Sequence, residues 1–259
     1  MTHNSESCHI QKYANDTAIM GCIGGDQEEE YRTLVRDFVT WSHANSLQLN
    51  TSKTKELVID FGKSRPRPQA VDINGVEVET VGSYKYLGVW LDKKLDWAIN
   101  TDHRYKKGQS KLYFLRRLRS FNICSKLLSM FYQSVVASIL FYAVVCWGGS
   151  TTKRDSSRLD KLIRRAGSVV GFKLDCLVTV AEKRTTKKLL AILDDTSHPL
   201  HTVISNQRSS SAPPQMPHQQ TNELLCPSCH HTPQLRTWRE EGGAAGGVQW
   251  IKGNRNRID

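Results

Sequence analysis

Acidic residues are nearly missing from the middle of this chain. Between His103 and Arg165 only Asp155 and Asp160 oppose 14 lysines and arginines, whereas residues 1–102 carry 15 acidic against 11 basic side chains. The whole chain of 259 residues has a formal charge of +11. Charge serving solubility alone would not gather in one block. The block is therefore either a solvated polar face or a surface laid against phosphates, and a polyanionic partner is the first to test.

Other absences narrow the field. The first nine residues are polar and hold no apolar leader core, and the seven cysteines are an odd number at irregular spacing. Both point to a reducing setting, intracellular and nuclear or cytoplasmic. Gly-x-Ser-x-Gly and Gly-x-x-x-x-Gly-Lys do not occur, which removes the local signatures of a serine hydrolase and a P-loop. One long uncharged run exists, Leu127 to Thr152. Ser129, Gln133, Ser134 and Ser138 dilute it, and Lys126 and Lys153 flank it evenly. It reads as a buried helix, with membrane anchoring by 127–147 as the alternative.

What is present has an α+β pattern. Cys8–Tyr13 and Thr17–Ile23 flank a polar turn and predict a hairpin. Asp26 with Glu29 resembles a capping box, and Tyr31, Leu34, Val35, Phe38 and Trp41 predict a helix over about 27–46. Leu57–Phe61 predicts a buried strand, Val71–Val81 a hairpin about Asn74-Gly75, and Tyr84–Leu91 a further strand. From His103 the period becomes helical, with Leu112, Leu115 and Leu118 as one stripe. Leu159, Leu162, Ile163, Ala166 and Val170 form another, with Arg158, Lys161, Arg164 and Arg165 outside it. Beyond about 204 core-forming residues thin out, predicting a disordered tail over 205–259.

Read in order, these segments resemble the reverse transcriptases of LINE-type (non-LTR) retrotransposons. Tyr13-Ala14-Asn15-Asp16-Thr17 is similar to their Tyr-Ala-Asp-Asp turn. Leu47-Gln48-Leu49-Asn50 with Lys53-Thr54-Lys55 resembles the next motif, and Tyr86-Leu87-Gly88 with Asp92 the primer-grip hairpin. Phe131-Tyr132 through Tyr142 and Trp147 resemble the thumb-like region. The agreement runs over about residues 8–200. It implies a partial polymerase palm over 1–102 and a basic, helical, thumb-like region over 103–204.

Nucleotide addition needs two divalent metals held by converging carboxylates. In the family two adjacent aspartates sit at the turn and a third on an upstream strand. Here Asn15 replaces the first of the pair, an amide that supplies no charge, and Asp16 remains. Seven residues precede the hairpin, so the resemblance leaves no counterpart for the upstream strand, the fingers or the endonuclease. The expectation is a remnant inactive as a polymerase, with Asp16 and Lys53 vestigial. Lys53 would stand near the leaving pyrophosphate, and Tyr86 and Gly88 would face the primer terminus. Read without the family, Asp16 is a turn residue and Lys53 a solvated loop residue.

The basic block needs only clustered charge to attract phosphate. Arg104, Lys106, Lys107, Lys111, Arg116, Arg117 and Arg119, interleaved with Tyr105, Tyr113 and Phe114, are the candidate nucleic-acid contacts. The expected partner is an RNA or DNA backbone, held weakly and non-specifically, with no small-molecule substrate and no membrane. No cofactor is expected, and magnesium would be needed only if polymerase activity survived. Cys226 and Cys229 with the adjoining His230 have the spacing of half a zinc site and are weak metal candidates; a full site could close on Cys226, Cys229, His230 or His231, and His218. A second resemblance covers 116–150, similar to the N-terminal helical segment of the AlkB homologue eight dioxygenase and tRNA methyltransferase. No iron-binding or methyl-donor pattern follows in 151–259, so neither chemistry is expected here.

Overall fold

The computed structural model describes residues 5, 7–23, 28–60, 70–209 and 247–257. It divides into two compact units, 1–104 with 240–259, and 105–239.

The first unit is built on a five-stranded sheet. β1 (Cys8–Tyr13) and β2 (Asp16–Ile23) pair antiparallel from Cys8 opposite Gly21 to Tyr13 opposite Asp16. Ala14 turns the chain with a left-handed φ of 51°. α1 (Glu28–Ala44) carries three glutamates in its first turn, which suits the positive helix N-terminus, and buries Tyr31, Leu34, Val35 and Phe38. These four pack with Cys8, Ile10, Ile19, Leu49, Val71, Ile73 and Val78 as one core. Gly21 is required here, because a β-carbon on it would stand 2.7 Å from Tyr31 Cδ2. The capping residue Asp26 lies outside the described residues.

β3 (Leu47–Ile59) starts ten residues before the predicted strand at 57. Its register shifts between Asn50 and Lys55. Within that bulge Asn50 Oδ1 accepts hydrogen bonds from Ser52 Oγ at 2.7 Å and from the Lys53 amide at 3.1 Å. Asx bonding keeps the bulge inside the strand instead of ending it. β4 (Asp72–Ile73) and β5 (Val76–Glu77) form the predicted Asn74-Gly75 hairpin, with φ of 57° and 76° at the two turn residues. β6 (Glu79–Thr80) pairs parallel to β3.

The stretch Tyr84–Leu91 is two strands rather than one. β7 (Ser83–Tyr86) folds back on β8 (Val89–Asp92), because Leu87 and Gly88 both take positive φ, 43° and 82°. The resemblance implied this hairpin, but the alternation of side chains concealed it.

The expected disordered tail falls mostly outside the described residues. Of those described, His201–Ser209 is helical, and the last strand, β9 (Gly247–Arg257), lies between β2 and β3. The sheet order is β1-β2-β9-β3-β6. A strand over 247–257 is a departure from the sequence expectation: its pairing partners lie some two hundred residues away, beyond the reach of local pattern.

α2 (Ala98–Ser120) begins five residues before the predicted change of period. Its residues from Tyr105 onward belong to the second unit. There Leu112 and Leu115 are buried. Gly108 lets neighbouring chains approach closely, since a β-carbon on it would stand under 3 Å from Leu140 and Leu162 side-chain carbons. α3 (Ser125–Phe131) leads into a π-helical stretch (Tyr132–Ala137), then α4 (Ser138–Leu140) and α5 (Val144–Trp147).

The single buried helix predicted over 127–152 is therefore broken. Ala143 takes a left-handed φ of 51°, and side chains satisfy two carbonyls at the break. Arg184 Nη1 donates to Phe141 O and Trp147 Nε1 to Tyr142 O, each at 2.9 Å. Among the described residues no single helix is long and apolar enough to cross a membrane. One pair, Ser125–Leu140 with Val144–Ser150, meets the length and composition together but is bent by 41°.

α6 (Lys153–Val170) buries Leu159, Leu162, Ile163, Ala166 and Val170, the stripe read from the sequence. Thr152 caps it, its Oγ1 accepting from the Asp155 amide, and Gly171 closes it at φ 99°. α7 (Leu177–Asp194) is tied at its start by Asp160 Oδ1, which accepts from the Leu177 amide at 2.8 Å. α8 (His201–Ser209) follows.

Burial, with a smaller contribution from Asp175, pushes the Tyr132 phenol up to about 12. An unfolded chain releases that proton near pH 10, so the buried phenol favours folding fully below pH 10, and its contribution is lost as pH rises toward 12. Denaturant midpoints are expected to fall across that window, and to fall less steeply in Tyr132→Phe.

Candidate nucleic-acid interface and polymerase-like turn

The turn that carries the polymerase resemblance lies at one end of the sheet. Asn15 is exposed at its tip, and Asp16 is half-buried as the first residue of β2. Opposite Asp16 the register places Asn254 of β9, and opposite Asn254 it places Asn50 of β3. The sequence of β9 holds no acidic residue. Lys53 is exposed in the bulge just beyond Asn50. Two strand spacings, about 10 Å, therefore separate the strands bearing Asp16 and Lys53. Among the described residues no group of three or more His, Cys, Asp or Glu side chains is placed to hold a metal ion. The candidates Cys226, Cys229, His230, His231 and His218 lie outside the described residues.

Tyr86 and Gly88 sit at the β7–β8 turn, and the first turns of α2 clamp that hairpin. Asn100 Oδ1 accepts from the Trp90 amide at 3.3 Å, and the His103 ring stacks on Trp90 at 4.7 Å. Arg104 Nη2 donates to the Gly88 carbonyl at 2.6 Å. Asp92 is buried, and its Oδ1 accepts from the amides of Lys94 and Asp96.

Arg104 is thus not a surface cation. It is 8% exposed and shares a helix face with Gly108, Leu112 and Leu115, at intervals of four, four and three residues that bring them to the same side. It positions the hairpin and is withdrawn from the set facing solvent.

The remaining candidates do face outward. Lys106, Lys107, Arg116, Arg117 and Arg119 are exposed, and Lys111 is half-buried. Aromatic rings stand among them with unusual exposure, Tyr113 at 64%, Phe114 at 49% and Phe121 at 62%. Lys111 Nζ lies 5.5 Å from the Phe114 centroid, and the Arg117 guanidinium 5.1 Å from that of Phe121. Tyr105 is half-buried beneath the guanidinium of Arg158, 4.5 Å from its ring. Arg158, placed by the sequence outside the apolar stripe, also pairs with Asp155 at 3.5 Å. Phe121 was missed by sequence reading, although its spacing of four from Arg117 could have marked it. Chemically, such a surface offers cations for phosphate oxygens beside flat apolar rings for bases.

Over 166 residues, 61% of this chain, the sequence is 26% identical to the probable RNA-directed DNA polymerase from transposon BS of Drosophila melanogaster. The chain resembles a transposon reverse transcriptase. The match spans 18% of that relative's length. A family model described as the N-terminal part of alkylated DNA repair protein alkB homolog 8 matches residues 97–138. It overlaps the segment expected from the sequence between 116 and 138, and reaches back to the start of α2. No solved structure matches.

Proposed function

We propose that this chain is a LINE-type reverse-transcriptase remnant, inactive in polymerisation, that holds nucleic acid non-specifically through its basic helices. The observation that carries the binding half is the outward face of α2, where five exposed cations stand in a stretch without an acidic residue from His103 to Lys153. Such a face attracts phosphate without needing an exact constellation.

The inactive half rests on charge at the turn. Asp16 is flanked in sequence by Asn15 and Thr17, neither of which carries charge. One carboxylate beside an amide leaves too little negative charge for two divalent ions, each of which needs anionic oxygens to replace its water. No metal-dependent step is assigned to this chain. Primer extension on RNA and DNA templates, with magnesium or manganese, is the test. The expected result is no incorporation above the Asp16→Ala chain; templated incorporation that disappears in Asp16→Ala would overturn the reading.

The similarity to the alkB homolog 8 segment favours no separate chemistry. The matched residues 97–138 form helices whose buried side chains pack and whose exposed ones are mainly basic, aromatic or small polar. They present neither an iron-ligand set nor a methyl-donor loop.

A further inference from the structure

We propose that the groove between α2 and the helical stretch after it accepts an unpaired nucleobase, so that the chain prefers single-stranded RNA or DNA to duplex. This deepens the nucleic-acid reading above and rests on it. The groove has a volume of about 360 Å³ and is lined by Lys111, Phe114, Arg117, Leu118, Phe131 and Val135. All six belong to the second unit.

Three features select the occupant. The volume lies near the lower end of small-molecule sites, roughly 300 to 1,000 Å³, which suits one nucleotide and not a length of double helix. The floor and walls are apolar, with two phenylalanines to meet a flat ring. The charge on the lining is wholly positive, since Lys111 and Arg117 face no acidic partner among the six. An apolar peptide would use the walls and leave both cations without purpose. A nucleotide uses both, with the base against the rings and its phosphate against the cations.

Duplex nucleic acid keeps its bases stacked inside and offers this site only phosphates. A single strand offers both chemistries at once. The far wall also departs from regular α-helix, because the π-helical stretch begins immediately after Phe131 and includes Val135. Such π turns occur disproportionately at functional sites.

The test is fluorescence anisotropy on the full chain with a labelled uridine 12-mer, a mixed-sequence 12-mer DNA strand and the matching DNA duplex, each across a salt series. Wild-type, Phe114→Ala, Phe114→Leu and the Lys111→Ala/Arg117→Ala pair are compared, with circular dichroism to verify folding. Phe114 is half exposed, so neither substitution empties the core. Wild-type chain should bind both single strands more tightly than the duplex. Phe114→Ala should weaken single-strand binding about tenfold or more, the scale of one lost base stack, while leaving the salt slope and duplex binding unchanged. Phe114→Leu should resemble Phe114→Ala, because it restores bulk without the ring face. The Lys111/Arg117 pair should weaken binding and flatten the slope.

Equal affinity for duplex and single strand, or wild-type binding by Phe114→Ala, would overturn the groove while leaving phosphate attraction standing. Failure of wild-type chain to bind any of the three would remove both readings. Binding of an acidic amphipathic peptide in place of the oligonucleotides would assign the groove to a protein partner and contradict the proposal.

Discussion

A chain ending at residue 246 is expected to lose the cooperative unfolding of its first unit. β9 pairs with β2 at eight residues and with β3 at nine, and it sits between them rather than at an edge. Its removal leaves two facing strand edges open, each with backbone groups that no neighbouring strand reaches. An antiparallel ladder makes about one hydrogen bond per residue pair, each worth roughly 1 kcal/mol net. Seventeen pairs therefore approach or exceed the whole stability of an ordinary domain, about 5 to 15 kcal/mol.

Hydrogen exchange reads this locally. In the shortened chain, amides of 16–23 and 47–59 should exchange within seconds, while those of Leu112, Leu115, Leu162 and Ile163 in the second unit stay protected. Adding a peptide of residues 247–257 should restore some protection to the first set. Unchanged protection in β2 and β3 after truncation would mean that these strands find another partner, and that β9 is not what joins them.

How far the fold could be read from the sequence depended on whether its causes were local. Asn74-Gly75 announced its hairpin because both residues tolerate the positive φ that the tight turn demands. The helix expected over 27–46 was found at Glu28–Ala44, since the apolar spacing and the glutamates of the first turn are properties of the segment itself. The stripe on α6 was legible for the same reason.

The misses share a different origin. Leu87 has no preference for φ 43°, so the β7–β8 turn was hidden behind alternation that suits one long strand. At the break at Ala143 the Phe141 carbonyl accepts from Arg184, a contact from another helix that no window of sequence contains. β9, with glycines at 247 and 253 and three basic residues, looks like tail composition until its two neighbours are known.

The candidate site divides along the same line. The turn at Asn15-Asp16 was visible as a motif, and the concentration of cations on α2 as a count. Arg104 was misplaced because charge alone does not reveal that its side chain turns inward to the Gly88 carbonyl. The aromatic groove was half legible: Lys111, Phe114 and Leu118 follow helical spacing, whereas Phe131 and Val135 arrive from another part of the chain.

If phosphate attraction by α2 holds nucleic acid to this chain, binding must weaken steeply as salt rises. Each phosphate contact releases condensed counterions and contributes about 0.7 to 0.9 to the slope of log affinity against log salt. Five exposed cations can thus produce a slope of up to about 4 and an affinity loss of order a hundredfold between 50 and 200 mM salt. Reversing Arg116, Arg117 and Arg119 to glutamate removes three of them and should cut the slope by at least half, equally for unrelated sequences. The measurement is therefore the affinity of wild-type and triply reversed chain for one labelled RNA across that salt range. A steep line is expected for the first and a shallow, weaker one for the second; a flat line for wild-type chain, or two parallel lines of equal affinity, would rule out phosphate attraction by α2.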